Sequence, residues 1–311
     1  VHPLASEIPN YARTQDLAWV TLFSLLASWF LLLFLRGAGI GRLMLAILCI
    51  VGATLSKGPG LFHALMMTGC TGITFINTDG WKRVCRIWPW IAGAAVATFA
   101  VLWATGEISQ LMMGAGRWAQ PRFIGHAYTL TRVFWEFAWR AVVPIQLCSD
   151  HQIAETMVPS GGGWLDVTDT VAKVSAASML ALMAVGVFMA WRKATRLFGL
   201  CLVIFTATIL FRVLFIVPEF MPEYRIYPGM PWFCLGAAVL LGAVWRKAGM
   251  GSPMIAAALV LLPCAVLSAK RSFVWHDLDR LCSDVLEQYP AQARAVWELH
   301  DRDMKRGDWN K

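Results

Sequence analysis

Charge is scarce in this chain of 311 residues. Asp, Glu, Lys and Arg make up 15% of it and hydrophobic residues 58%, whereas soluble domains carry about a quarter charged residues. A soluble enzyme of this composition would have no interior large enough for its apolar side chains. Acid is scarcer than base, 19 residues against 27, for a net charge of +8. The excess does not point to nucleic acid, because the basic residues sit in short clusters between apolar runs, the pattern of a membrane protein. No two of the eight cysteines have metal-ligand spacing. Cys49, Cys70, Cys201, Cys234 and Cys264 lie inside apolar runs as small buried hydrophobes, and no spacing signal supports a disulfide between Cys148 and Cys282. No basic segment, apolar core and cleavage site follows Val1, so the chain reads as the later portion of a longer protein. Internal repeats are not evident either.

What is present is a series of apolar runs. A spanning helix needs about 20 mostly apolar residues, and runs near 17–35, 40–56, 59–77, 87–105, 172–190, 197–217, 230–245 and 253–269 predict about eight spans. The fold class is therefore all-α, a polytopic membrane bundle. Arg36 and Arg42, then Lys82, Arg83 and Arg86, then Arg192, Lys193 and Arg196, then Arg246 and Lys247 fill four short connections. Positive loops stay in the cytoplasm, so the other connections and both chain ends face the outer side. The reading is an integral protein of a bacterial inner membrane with its ends in the periplasm.

Residues 128–148 break the simple count. They are apolar and aromatic but carry Arg132, Glu136 and Arg140. A span here would move every later basic loop outside, so the segment is expected to be a re-entrant or interfacial helix on the outer side. Glu136 and Arg140 are four apart and can pair on one helix face. The domain 1–270 thus has a large outer segment, 106–170. After Lys270 the composition changes, and 271–311 reads as soluble, with helices over 273–288 and 292–305 parted by Pro290 and stopped at Gly307.

The candidate chemistry lies in the outer connections. Residues 1–16 hold His2, Glu7, Tyr11, Arg13 and Asp16 just before an apolar helix. They form either a solvated loop with an acidic helix start or a polar cluster that meets a charged ligand. Lys57 in SKGPG either snorkels to the interface or binds an anion that Gly58 lets approach. Arg225 and Tyr227 lie in PEFMPEYRIYPGMP, where four prolines stiffen the backbone. The planar fork of Arg225 matches phosphate oxygens, and the competing reading is an interface anchor with Tyr227 in the aromatic belt. His126, Arg132 and Asp150 are further candidates in the outer segment. Arg212 is the main charge within a span, where its cost implies a partner or a cavity unless it reaches the outer interface about one and a half turns away. The cofactor is left open, a divalent cation being the candidate although no residue pattern points to one.

These motifs carry a resemblance. HPLASEIPNYARTQDLA, with His2, Pro3, Glu7, Tyr11, Arg13 and Asp16, resembles a segment of the GT-C-fold membrane glycosyltransferases, most closely the tetratricopeptide-bearing protein O-mannosyltransferase-like branch. SKGPG is similar to that branch's Ser-Lys-Glu motif and keeps Lys57, although Gly58 replaces the acid. Thr131, Pro144, Leu147 and Asp150 match its outer segment, and Arg225, Tyr227 and Pro228 its Glu-Arg-Tyr-Leu-Tyr-Pro stretch. YPAQARAVWELHDRDMKRGDW resembles the start of a tetratricopeptide array. Arg13 and Asp16 are three apart, where the branch usually has two.

The resemblance implies a GT-C-like bundle that transfers a sugar from a polyprenyl-phosphate donor to a hydroxyl of a protein or glycan on the outer face. In that scheme Lys57, Arg225 and Tyr227 hold the donor phosphate. Glu7, Arg13 and Asp16 are the catalytic candidates, with Arg13 paired to Asp16 or Glu7, and the main catalytic acid is expected upstream of Val1. A transporter or flippase of a lipid-linked solute is the alternative from another class. It would more often show inverted repeats and broken midplane helices. An oligosaccharide ligase or polymerase is the rival within the class.

Overall fold

In the computed structural model the regular elements are helices throughout the described residues. Those residues are 2–3, 15–57, 60–77, 79–82, 84–85, 100, 103–104, 122–145, 147, 170–210, 223–249, 253–290 and 293–306, with only the backbone described for 122–126, 223–225, 253–256 and a few positions of the last helix. In chain order the helices are α1 (Gln15–Leu35), α2 (Ile40–Ser56), α3 (Gly60–Phe75), α4 (Arg122–Val142), α5 (Thr170–Trp191), α6 (Arg196–Leu210), α7 (Met230–Lys247), α8 (Pro253–Val274), α9 (Leu278–Gln288) and α10 (Ala293–Arg306). A 3-10 segment, Glu223–Gly229, leads directly into α7.

Four helical stretches are long and apolar enough to cross a membrane: Gln15–Leu35, Thr170–Trp191, Ile226–Lys247 and Ala257–Val274. Three more are apolar but shorter, with 17, 16 and 15 residues in α2, α3 and α6. A helix of 16 residues is about 24 Å long, against a hydrocarbon core of about 30 Å. The run expected at 87–105 lies outside the described residues apart from three positions, and that at 197–217 is described as far as Leu210.

The surfaces of these helices explain the composition. Leu55 is 82% exposed, Ile73 77% and Leu259 68%, a display of apolar surface that water does not tolerate in a folded chain. Their contacts rely on small residues. Gly199 lies so close to α5 that an added Cβ would come within 2.3 Å of Ala190 N and 2.6 Å of Gly186 O. Close backbone approach of this kind is how helices associate in lipid. The hydroxyls of Thr21, Ser24 and Ser28 on α1 are buried, and each donates to the carbonyl four residues back. No polar group on that face is left to the hydrocarbon.

Helices α1, α2 and α3 pack together, as do α5, α6 and α7, and α3 joins the groups through α6. The α1–α2, α5–α6 and α7–α8 turns put Arg36, Arg42, Arg192, Lys193, Arg196, Arg246 and Lys247 at one end. Lys82 follows α3 at the same end, beside a cluster of Phe34, Leu35, Leu43 and Val84.

At the opposite end lies α4. Its Leu130, Val133, Phe134, Phe137 and Ala141 are buried against Met179 of α5, Phe205 and Ile209 of α6, Ile226 and Met230. The indole N–H of Trp135 donates to Ser175 O at 3.1 Å. Glu136 and Arg140 pair as their spacing predicts, Nη1 to Oε2 at 2.6 Å. The expected interval 128–148 shifts toward the N-terminus, because α4 is helical from Arg122 and ends at Val142 ahead of Pro144.

The C-terminal tail also differs in its boundary. Helix α8 runs on to Val274 instead of giving way near Lys270. Arg271 is buried and donates to Asp284 Oδ2 at 2.6 Å, and this pair locks the extension onto α9. The break falls at Asp277, whose carboxylate accepts from Asp279 N and caps α9. Helices α9 and α10 then meet as a hairpin over Cys282, Val285 and Ala295. Cys148 lies outside the described residues.

Candidate functional site

The end of the bundle opposite the basic turns gathers several of the residues singled out above. Asp16 stands in the first turn of α1. Its Oδ1 accepts the Leu17 N–H at 2.8 Å, which suits a carboxylate at the positive end of a helix. Lys57 closes α2 in an extended conformation, with its own N–H donating to Ala53 O and its carbonyl accepting the Gly60 N–H at 2.7 Å. Helix α3 starts at once, so the turn is short and the lysine cannot wander far. Helices α1 and α2 are antiparallel, which brings the start of one to the end of the other. Lys57 Nζ lies 2.7 Å from Asp16 Oδ2, with the two side chains 34% and 30% exposed. One oxygen of Asp16 is thus fixed by the helix and the other by the lysine.

Tyr227 sits half-buried in the 3-10 segment, which packs against α1 and α6. Ile226 beside it is fully buried, and Gly229 at the end fits closely against Thr208 and Phe205 near the end of α6. The backbone of Arg225 belongs to the same segment. Pro228 within it and Pro231 at the start of α7 hold the chain in this tight turn.

His2 reaches the same end. Its Nε2 lies 2.9 Å from Ala141 O, in the last turn of α4, and its ring meets Phe233 of α7 edge-on at 6.3 Å. Burial lowers the His2 pKa below its usual value, against the bond to Ala141, which raises it. Arg140 beside that carbonyl is nearly buried, and half-exposed Glu136 neutralises it. Gln288 at the end of α9 donates from Nε2 to Leu147 O at 3.1 Å. The tail hairpin therefore touches the segment that follows α4.

The predicted site residues divide accordingly. Asp16 and Lys57 come together, and Tyr227 and the backbone of Arg225 lie on an element packed against α1. Arg132 is half-buried on α4, and His126 lies in the second turn of that helix with its side chain outside the described residues. Glu7, Arg13, Asp150 and Arg212 also lie outside them. Asp16 pairs with Lys57, and the expected pairing of Arg13 with Asp16 or Glu7 falls on residues outside those described. The contacts of His2 and Gln288 had no local signal, since each spans about 140 residues of chain, 139 and 141. Among the described residues no group of three or more His, Cys, Asp or Glu could hold a metal ion.

No known family matches this chain, and neither does any curated protein or solved structure.

Proposed function

We propose that this chain is a membrane glycosyltransferase, using a polyprenyl-phosphate-linked sugar and an acceptor hydroxyl at the end of the bundle opposite its basic turns. The observation that carries the reading is the Lys57–Asp16 pair, a cation and a carboxylate in contact at the outer helix ends and each about a third exposed. Transfer from a lipid phosphate needs a cation where the leaving phosphate gathers charge and a carboxylate near the attacking hydroxyl. In this reading Lys57, Arg225 and Tyr227 serve the phosphate, and Asp16 with Glu7 and Arg13 serves the sugar and acceptor. The motif resemblance supplies the family, the GT-C-like tetratricopeptide-bearing branch. It also supplies the arrangement of eight spans with both ends outside and a tail hairpin that begins a repeat array.

The test is direct. Membranes containing the full chain are given a radiolabelled polyprenyl-phosphate hexose, and label is followed into protein and glycan. Transfer that falls at least tenfold in Lys57→Gln, with expression unchanged, supports the proposal. Donor lipid that crosses the bilayer without losing its sugar indicates a flippase instead.

A further inference from the structure

The cation proposed to hold the donor phosphate is already occupied. Lys57 Nζ rests on Asp16 Oδ2 at 2.7 Å, so a phosphate arriving at this lysine meets a neutral pair. Two features decide what happens next. Both side chains are about a third exposed, and a pair in such surroundings changes an equilibrium by no more than about fivefold. A phosphate, with more charge and more acceptor oxygens than a carboxylate, can compete for the lysine. Asp16 also does not depend on Lys57 for its position, because Oδ1 accepts the Leu17 N–H at 2.8 Å. When the lysine leaves, the carboxylate stays at the start of α1, and no other described residue holds Oδ2.

Resting on the lipid-phosphate reading above, we infer that the Lys57–Asp16 pair is a counterion switch. The donor's phosphate takes Lys57 from Asp16, and the exchange exposes Oδ2 to a hydroxyl donor. Asp16 then accepts more strongly from the acceptor hydroxyl once the donor has bound, because in the empty site the ammonium at 2.7 Å takes an acceptor position of Oδ2 and neutralises the carboxylate. Lys57 can make this move because the α2–α3 turn is fixed through its backbone, Lys57 N to Ala53 O and Gly60 N to Lys57 O, which leaves the side chain to swing.

Two measurements test the exchange, both on the full chain in lipid nanodiscs with a short-chain polyprenyl phosphate lacking sugar as the probe. The first is binding, with inorganic phosphate run beside it to separate a lipid headgroup from a free anion. Asp16→Asn, and Asp16→Ser as a second variant that keeps an oxygen for the Leu17 N–H, should bind the probe about two- to fivefold more tightly than wild type, the factor a pair about a third exposed can withhold. Lys57→Gln should weaken binding and abolish the effect of the Asp16 changes. Weakening by Lys57→Gln with no tightening in either Asp16 variant overturns the switch and leaves the phosphate reading standing. Indifference to Lys57→Gln overturns both.

The second measurement needs no variant. A zero-length carbodiimide link should form between Asp16 and Lys57 in the empty protein and decline as the probe saturates. The exposed Lys305–Asp301 pair, at 2.6 Å, provides an internal control that the probe should not change. An Asp16–Lys57 link that forms equally at saturation, or fails to form in the empty protein, contradicts the exchange.

Discussion

Replacing Gly60 with alanine should separate the turn that carries Lys57 from the rest of the bundle. A Cβ at Gly60 would lie 2.0 Å from Ala53 O, 2.7 Å from the Ala53 carbonyl carbon and 3.0 Å from Val20 Cγ2. Ordinary contact begins at 3.4 Å, so a backbone carbonyl must retreat by more than an ångström. No side-chain rotation can relieve it. The first turn of α3 must leave the last turn of α2, and Lys57 moves with it. Gly69 on the same helix is the comparison, because nothing lies within 4 Å of its Cβ position. Alanine in place of a helical glycine gains about 0.5–1 kcal/mol, whereas overpacking costs about 1–3 kcal/mol and sometimes more. Net of the helix gain these give about 0–2.5 kcal/mol, and the 2.0 Å approach to a backbone carbonyl puts Gly60→Ala at the upper end or beyond, while Gly69→Ala should be neutral or mildly stabilising. Thermal unfolding in nanodiscs, followed by tryptophan fluorescence, measures both. The carbodiimide link between Asp16 and Lys57 should fall in the first variant alone. Equal stability and equal cross-linking in the two would refute the packing argument.

Asp284→Ala should loosen the tail hairpin more than Arg271→Met, because the first takes the carboxylate from a guanidinium 6% exposed and the second takes the guanidinium from a carboxylate 25% exposed. The expected difference, read by hydrogen exchange in α9, is about 1–3 kcal/mol, and a reversed order would count against the reasoning. Glu136→Gln should cost about 1–2 kcal/mol through the nearly buried Arg140, half-exposed Glu136 limiting the loss, and a change below about 0.5 kcal/mol would show the pair to be incidental. Because burial holds the His2 pKa below its unfolded value near 6.5, docking of residues 2–3 on α4 should be fully stable above about pH 6.5 and weaken as pH falls below it. His2→Gln keeps a donor and should remove that dependence; an unchanged profile would rule His2 out as its source. Exposed Cys85, near the basic end, should react with an impermeant thiol reagent in inverted vesicles and not in intact cells, while a cysteine placed at residue 160 should do the reverse; a matching response at both positions would undo the orientation.

The helices were legible because their apolar runs and basic punctuation are local properties of the chain. The Glu136–Arg140 pair followed from spacing alone, and Pro290 marked the turn of the hairpin. Where the reading slipped, tertiary structure had intervened. Helix α8 keeps its form past Lys270 because Arg271 finds Asp284 thirteen residues on, a bond that no periodicity announces. Asp277, a capping residue by type, could have marked the start of α9. Within the site, Asp16 and Lys57 were legible as candidates because each interrupts an apolar pattern at a helix end opposite the basic turns. Their partnership was not, since it depends on α1 packing antiparallel to α2. The contacts of His2 with Ala141 and of Gln288 with Leu147 join distant parts of the chain and carry no trace in the sequence around them.

The central claim is that this end of the bundle binds a lipid phosphate through Lys57. Its most direct test is native mass spectrometry of the full chain with a short-chain polyprenyl phosphate, comparing wild type with Lys57→Gln. A hydrogen bond between charged groups is worth about 1.5–3 kcal/mol, so the account predicts saturable binding to wild type and a loss of about tenfold or more in the variant. Binding of equal strength to both proteins, or no saturable binding to either, would contradict it.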